Sequence, residues 1–357
     1  MPIKKVEIEA FMELAQQHPV LDVRSPGEYQ HAHIPQAHSF PLFTDEERKV
    51  VGTTYKQTSR EKAIKIGLDY FGPKMREMIE TAEVIAKKAE TKTLLVHCWR
   101  GGMRSGAISW LLDLYGFEVY QLIGGYKSYR NWVLQSFDKY QLPFLVIGGY
   151  TGTGKTEILQ WLKEKDEFVI NLEEIAGHRG SAFGNLGLPE QAGVEQVENI
   201  LSLTVKQYHY SLKNSDKKWI WLEDESRRIG NINLPEAFHK NMKNSPFIFL
   251  QVPFDKRLEN IVNLYGQFST ESLENSILRI KKRMGNDLNG IALEFLHQND
   301  IKNCFRILLN YYDRYYLKNS FQYARKTMEL DPMTYDTEKI ADYLITIKDK
   351  LYEFSRR

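Results

Sequence analysis

The chain has 357 residues, 42% hydrophobic and 26% charged, with 48 basic against 46 acidic side chains and a formal charge of +2. Such a length and mixture favour two globular domains, each long enough to bury a core, and the near-balance of charge confines any nucleic-acid surface to a local patch. Two cysteines argue against a disulfide framework or a zinc cluster, and neither a signal-peptide core nor a bilayer-length apolar run is present, so a soluble cytoplasmic protein is expected.

The first apolar run, Val20 to Val23, reads as a strand that passes into a loop at Arg24. Residues 73–90 carry apolar side chains at helical spacing, and Thr93 to His97 (TLLVH) is a buried strand. A glycine-containing loop follows. A helix is predicted over Ser105–Leu114 with Gly116 as its stop, then a strand over Glu118–Leu122 and a helix from Gly125 to Phe137. Alternation of this kind predicts a parallel sheet covered on both faces. The pattern breaks near 138–143, which places one domain at 1–138 and a second at 139–357. Phe144 to Ile147 opens the second α/β unit, with further strands at Phe168–Leu172, Trp219–Leu222 and Pro246–Val252; from about 270 onward the pattern is mostly helical.

Cys98 follows the strand TLLVH directly and opens the stretch CWRGGMRSG. Glycines let the backbone curl so that several N–H groups face one point, and the following helix adds the positive end of its dipole. Arg100 and Arg104 add full charges, an environment that favours a thiolate nucleophile. A lone cysteine is often simply buried; here strand, glycines and arginines converge on it, and Cys98, Arg100 and Arg104 are read as catalytic. Cys304 lies among apolar residues and is read as inert.

Gly149-Tyr150-Thr151-Gly152-Thr153-Gly154-Lys155-Thr156 fits G-x-x-x-x-G-K-[ST] between a strand and an apolar-periodic helix, the context that this phosphate-binding loop requires. Gly149, Gly152, Gly154 and Lys155 would cradle phosphate oxygens, and the Thr156 hydroxyl can ligate Mg²⁺. The strand Trp219–Leu222 runs into Glu223-Asp224-Glu225, where such proteins place the acid that orients Mg²⁺ or water. Glu223 is the expected metal ligand beside Thr156; Glu225 shares its face, and Asp224 is expected in solvent. His178, Arg179 and Ser181 sit just after the strand FVINL, where an anion or substrate contact is one reading. The basic cluster Arg279, Lys281, Lys282 and Arg283 reads as a lid or RNA-phosphate contact, or as a solvated helix face. The tyrosines of Asn310–Asn319 read as packing of an aromatic helix, with stacking on RNA bases as the other reading.

LDVRSPGEYQHAHIPQAHSFPL, the Cys98 loop and GFEVYQLIGGYKSYR together resemble the rhodanese family over residues 5–135. That resemblance implies a doubly wound domain whose Cys98 carries sulfane sulfur or a selenium analogue, with Asp22 and Arg24 structural. Cys-x5-Arg is also the spacing of the tyrosine phosphatase loop. Across both halves, TDEERKVVGTTYKQ, CWRGGMRSG, HRGSAFG and EDESRRIG resemble the tRNA 2-selenouridine synthase family. This implies a rhodanese-like doubly wound sheet followed by a P-loop NTPase-like α/β domain with a helical C-terminal region.

The family resemblance further implies a two-step exchange on a tRNA wobble uridine. A geranyl group from geranyl diphosphate alkylates the 2-thiouridine sulfur, then selenium from selenophosphate displaces it, with no tightly bound cofactor and with selenophosphate synthetase as a candidate partner. It also makes His178, Arg179, Ser181, Glu225, Ser226, Arg227 and Arg228 substrate contacts. A nucleotide-regulated sulfurtransferase or phosphatase, and a non-catalytic nucleotide switch, are the alternatives.

Overall fold

Three of the apolar runs, those at Val20, Thr93 and Glu118, lie where parallel strands need them. In the computed structural model, which describes residues 3–320, 327–332 and 334–356, strands β1 (Lys4–Val6), β2 (Val20–Asp22), β3 (His38–Ser39), β4 (Thr93–His97) and β5 (Glu118–Leu122) form one parallel sheet in the order β1-β5-β4-β2-β3. β4 is buried throughout, as the central strand of a doubly wound sheet must be. Helices Met75–Lys88 and Met103–Tyr115 cover it, and their apolar residues join Leu94, Val96 and Ile108 in one core. Gly116 ends the second of these helices in the left-handed region, φ 110°, as its position suggested.

Two helices that periodicity did not reveal, Asp45–Gln57 and Arg60–Phe71, lie between β3 and β4. Both are started by side-chain caps: Thr44 with Glu47 forms a capping box, and the Ser59 hydroxyl accepts the Lys62 N–H.

The second sheet is also parallel. Strands β6 (Phe144–Gly149), β7 (Val169–Ile170) and β8 (Ile220–Glu223) precede a small antiparallel hairpin, β9 (Arg228–Ile229) and β10 (Ile232–Asn233); β11 (Phe247–Leu250) and β12 (Thr327–Leu330) complete the sheet in the order β12-β11-β6-β8-β7. The strand β12 interrupts the region read as helical; it is short and closes an edge. The expectation of helix over 321–326 falls outside the described residues.

Two cores support this half. One lies along the sheet around Leu145, Ile147, Trp221 and Ile248, and a helical one gathers Leu258, Ile277, Phe305 and Leu308. The chain divides into one unit of residues 1–136 with 198–200 and another of 137–197 with 201–357. Among the described residues no helix is long and apolar enough to cross a membrane.

Candidate functional site

In the first unit the carboxyl end of β4 delivers Cys98 to a turn that neighbouring glycines make possible. Gly101 has φ 66°, and a Cβ there would lie 2.6 Å from the Leu122 carbonyl oxygen. A Cβ on Gly125 would lie 2.3 Å from the Cys98 carbonyl oxygen. Only glycine permits this close approach. The Tyr126 and Lys127 N–H groups donate to the Cys98 and Trp99 carbonyls at 2.8 and 3.0 Å, tying the loop to the start of the Gly125–Lys139 helix.

The Cys98 sulfur is 3% exposed and 3.2 Å from Ser105 Oγ. That hydroxyl donates to the Gly102 carbonyl at 3.1 Å and accepts from Gln121 Nε2 at 2.9 Å. With its one proton committed, it takes the thiol proton as acceptor, and it can turn to donate once the sulfur is ionised. Neither Ser105 nor Gln121 was singled out from sequence.

Arg100 is exposed. Arg104 is shared: its guanidinium engages Glu28, with Nη1 and Nη2 donating at 2.5 and 3.2 Å, and its charge also acts on Cys98. Burial would raise the Glu28 carboxyl, but Arg104 overcomes it and holds the group at about 2. Asp22 and Arg24 are structural, as expected. Arg24 donates to Asp22 at 2.6 to 3.0 Å and to the Ala32 carbonyl at 2.7 Å, beneath Tyr126 at 3.8 Å. His97 is fully buried between Phe11 and Tyr126, and burial pushes its pKa down, so it stays a neutral packing group.

In the second unit β6 ends in the phosphate loop and the Lys155–Glu164 helix follows. Gly149, Gly152 and Gly154 have φ of 152°, 83° and 84°, turns that residues other than glycine rarely adopt. Lys155 Nζ donates to the Gly149 carbonyl at 2.9 Å, folded back across the loop. The loop is braced from outside. Arg257, 3% exposed, donates to the Thr151 carbonyl at 3.1 Å and to both oxygens of Asp313 at 2.9 and 2.7 Å. Asn260 holds the Gly152 carbonyl at 2.9 Å, and the Gly149 N–H donates to the Tyr316 hydroxyl at 3.2 Å. Sequence reading passed over Arg257 and Asn260, whose helix looks merely amphipathic.

Beside the loop three carboxyl groups converge. Thr156 Oγ1 donates to Glu173 Oε2 at 2.9 Å, and the Glu173 N–H donates to Glu223 Oε1 at 3.0 Å. Burial, then the neighbouring Glu173 charge, pushes Glu223 up to about 8. Burial and repulsion from Glu173 and Glu223 raise Glu225 well above its ordinary value, and burial also raises Glu173. Glu223 Oε2 is buried without a hydrogen-bond partner. These groups fit a cation that leans on phosphate oxygens: among the described residues no three or more acidic, His or Cys side chains could hold a metal alone, and Mg²⁺ takes few protein ligands. Glu173 was the missed member.

Asp224 is another correction. It is 5% exposed, not solvated, and accepts from Lys243 at 2.7 Å and from the Tyr316 hydroxyl at 3.1 Å. His178, Arg179 and Ser181 do not follow the strand directly, because the short helix Leu172–Ala176 intervenes; that helix is what carries Glu173 to the loop. Their turn is self-closed. The Gly180 N–H donates to His178 Nδ1 at 3.1 Å, Arg179 Nη1 donates to the Leu186 carbonyl at 2.8 Å, and Ser181 Oγ accepts the Phe183 N–H at 3.2 Å. Gly180 abuts the Glu225 carboxyl, where a Cβ would be 2.9 Å from Oε2. Ser226, Arg227 and Arg228 are exposed on the hairpin: Ser226 donates to the Arg228 carbonyl, Arg228 to the Gly230 carbonyl, and Arg227 pairs with Glu236. Arg279 anchors to Asn185 at 2.9 Å.

A rhodanese-like cysteine loop and a P-loop, each on its own parallel sheet, define a two-domain α/β enzyme. The rhodanese-like domain model matches residues 6–131, and the model of the tRNA 2-selenouridine synthase AAA domain matches residues 142–350. The chain is 33% identical to a tRNA 2-selenouridine synthase of Shewanella piezotolerans over 80% of this chain and 81% of that protein. It is 31% identical to those of Shewanella pealeana (88% and 93%) and Pseudomonas savastanoi pv. phaseolicola (93% and 95%). The chain belongs to the tRNA 2-selenouridine synthase family.

Proposed function

We propose that this enzyme replaces the sulfur of wobble 2-thiouridine in tRNA by selenium in two steps. First, the thiouridine sulfur attacks C1 of geranyl diphosphate; the C–O bond breaks, diphosphate leaves, and the base gives up its N3 proton. Second, the selenium of selenophosphate attacks C2 of the base and expels the geranylthio group, which leaves as geranylthiol; water then attacks phosphorus, the P–Se bond breaks, phosphate departs, and N3 regains its proton to give 2-selenouridine. The observation that carries this reading is the P-loop braced by Arg257 and Asn260 in a family of selenouridine synthases. Such a cradle holds a diphosphate without any need to hydrolyse a nucleotide, and clamping the departing charge lowers the barrier to a carbocation-like transfer.

Gly149, Gly152, Gly154 and Lys155 are assigned to the diphosphate. Thr156, Glu223 and Glu173 would hold Mg²⁺, which supplies further neutralisation of the leaving group. Glu225, beside Gly180 and within reach of the Lys155 charge, and His178, Arg179 and Ser181, on the turn that includes Gly180, are assigned to the substrate. Cys98 is assigned to selenium handling, with Ser105 stabilising the ionised chalcogen. The engagement of Arg104 by Glu28 favours this over a phosphatase, whose arginine has to clamp phosphoryl oxygens.

The test pairs two measurements. Calorimetry should give geranyl diphosphate binding by the wild type and its loss in Lys155→Ala. Mass spectrometry of tRNA nucleosides should show Cys98→Ser accumulating the geranylated base without selenouridine. Tight ATP or GTP binding without geranyl diphosphate binding, or normal selenouridine from Cys98→Ser, would sink the proposal.

A further inference from the structure

The stretch TDEERKVVGTTYKQ has no part in the chemistry above, yet it is anchored with care. It forms the Asp45–Gln57 helix, which buries none of its own residues. Its first turn is fixed at three points: the Thr44–Glu47 capping box, the Lys74–Glu47 ion pair at 2.5 Å, and Asp45, whose two carboxylate oxygens accept the Gly27 N–H at 3.0 Å. A helix that reaches the core only through the half-buried Val51 leaves most of its surface free to present.

It presents Arg48 and Lys49 to a cavity of about 450 Å³ whose wall also includes Trp99 of the cysteine loop. That volume lies within the roughly 300–1,000 Å³ of small-molecule pockets. The lining sets Arg48 and Lys49 against two carboxylates, Glu28 and Asp45; the third cation, Arg24, is spent on the buried Asp22. Glu28 is ion-paired with Arg104, which leaves Asp45, held by the Gly27 N–H, as the one carboxylate set against Arg48 and Lys49. Arg48 lies 3.5 Å from Glu28 and its side chain is half exposed, at 51%. The Trp99 ring is 39% exposed while its backbone is pinned by the Lys127 N–H. An aromatic ring that leans on Tyr126 at 5.7 Å, in one cavity wall with two cations, matches the two parts of a nucleotide, a base that stacks and a phosphate that pairs.

We propose that this cavity receives one unpaired nucleotide of the RNA substrate, with its base on Trp99 and its phosphate on Arg48 and Lys49. This deepens the tRNA reading and rests on it. It makes the Asp45–Gln57 helix the element that brings RNA to the chalcogen site, and Trp99 a positioning residue.

The probe is an anticodon stem-loop RNA carrying 2-thiouridine at the wobble position, titrated against the full chain by fluorescence anisotropy. Trp99→Ala should weaken binding about tenfold or more, and Trp99→Phe should restore it to within about threefold, because any aromatic face stacks. The Arg48→Gln/Lys49→Gln double variant should weaken binding at low salt and make the slope of log K against log salt shallower by roughly 0.7 per lost phosphate contact. Irradiation of the thiouridine probe should cross-link it to peptides containing Trp99 or residues 45–57. Binding by the wild type that none of these variants changes overturns this inference alone. Loss on removing the cations with no effect of Trp99→Ala leaves an anion site only and overturns it too. No RNA binding by the wild type overturns it together with the tRNA reading.

Discussion

Glu28→Gln isolates the electrostatic clamp on the cysteine loop. The glutamine keeps the shape but loses the charge that accepts Arg104 at 2.5 and 3.2 Å and lies 3.5 Å from Arg48. The carboxyl is held at about 2 in the folded protein against an ordinary 4.5, which corresponds to about 3 kcal/mol of stabilisation as an upper figure. Because the folded value is depressed, the contribution is fully present above 4.5 and disappears as the pH falls toward 2. The variant should therefore lose about 3 kcal/mol at pH 7, about 2 kcal/mol at pH 3.5, and nothing near pH 2. Urea unfolding of wild type and variant at pH 7 and pH 3.5, followed by circular dichroism, measures both values. An equal deficit at the two pH values would place the loss in packing or in the bonds that Glu28 accepts from the Ser25 N–H and hydroxyl at 3.1 and 3.2 Å, and refute the charge argument; no deficit at pH 7 would do the same.

Arg257→Ala should destabilise the second unit by about 3–5 kcal/mol, because it strands Asp313 and frees the Thr151 carbonyl, and calorimetry should show diphosphate binding lost as well. Gly152→Ala should leave the circular dichroism spectrum intact while pyrophosphate affinity falls at least about tenfold, since φ is 83° and the new Cβ would lie 2.6 Å from the Arg257 carbonyl oxygen. Glu223→Gln should match the wild type in stability at pH 4.5 and exceed it at pH 9 by a few kcal/mol. A folded value raised to about 8 makes wild-type stability fall as the pH rises from 4.5 to 8, a fall that the uncharged variant escapes; melting temperatures across that range test it. Cys304, 1% exposed with burial pushing its thiol up to about 12, should resist iodoacetamide in the native protein at pH 8, as peptide mass spectrometry would show.

The two loops were legible because their chemistry is local. A run such as Phe144–Ile147 followed by glycines at set spacing and Lys155 dictates a strand, a turn with positive φ and a helix start, whatever lies elsewhere in the chain. The same holds for Thr93–His97 running into Cys98. The strands β1 and β12 were not legible. Lys4–Val6 and Thr327–Leu330 are short and partly polar, and they become strands by hydrogen bonding to β5 and β11, partners far away in sequence.

The groups that escaped the sequence reading, or were misplaced by it, share one physical trait. Glu28, Asp224 and Arg257 are charged residues in hydrophilic surroundings, which a single sequence assigns to solvent, and each is withdrawn from it into an ion pair that braces a functional loop. Such withdrawal is tolerable only with an opposite charge at hydrogen-bond distance, and the partners Arg104, Lys243 and Asp313 lie 76, 19 and 56 residues away. No local pattern carries that pairing. Motifs thus specify the loop that meets substrate, while the ion pairs that keep it in shape are a property of the fold. Glu173 is the intermediate case. It stands one turn past a two-residue strand, on a helix too short to register, and only the pairing of β7 with β8 sets it against Glu223 and Thr156.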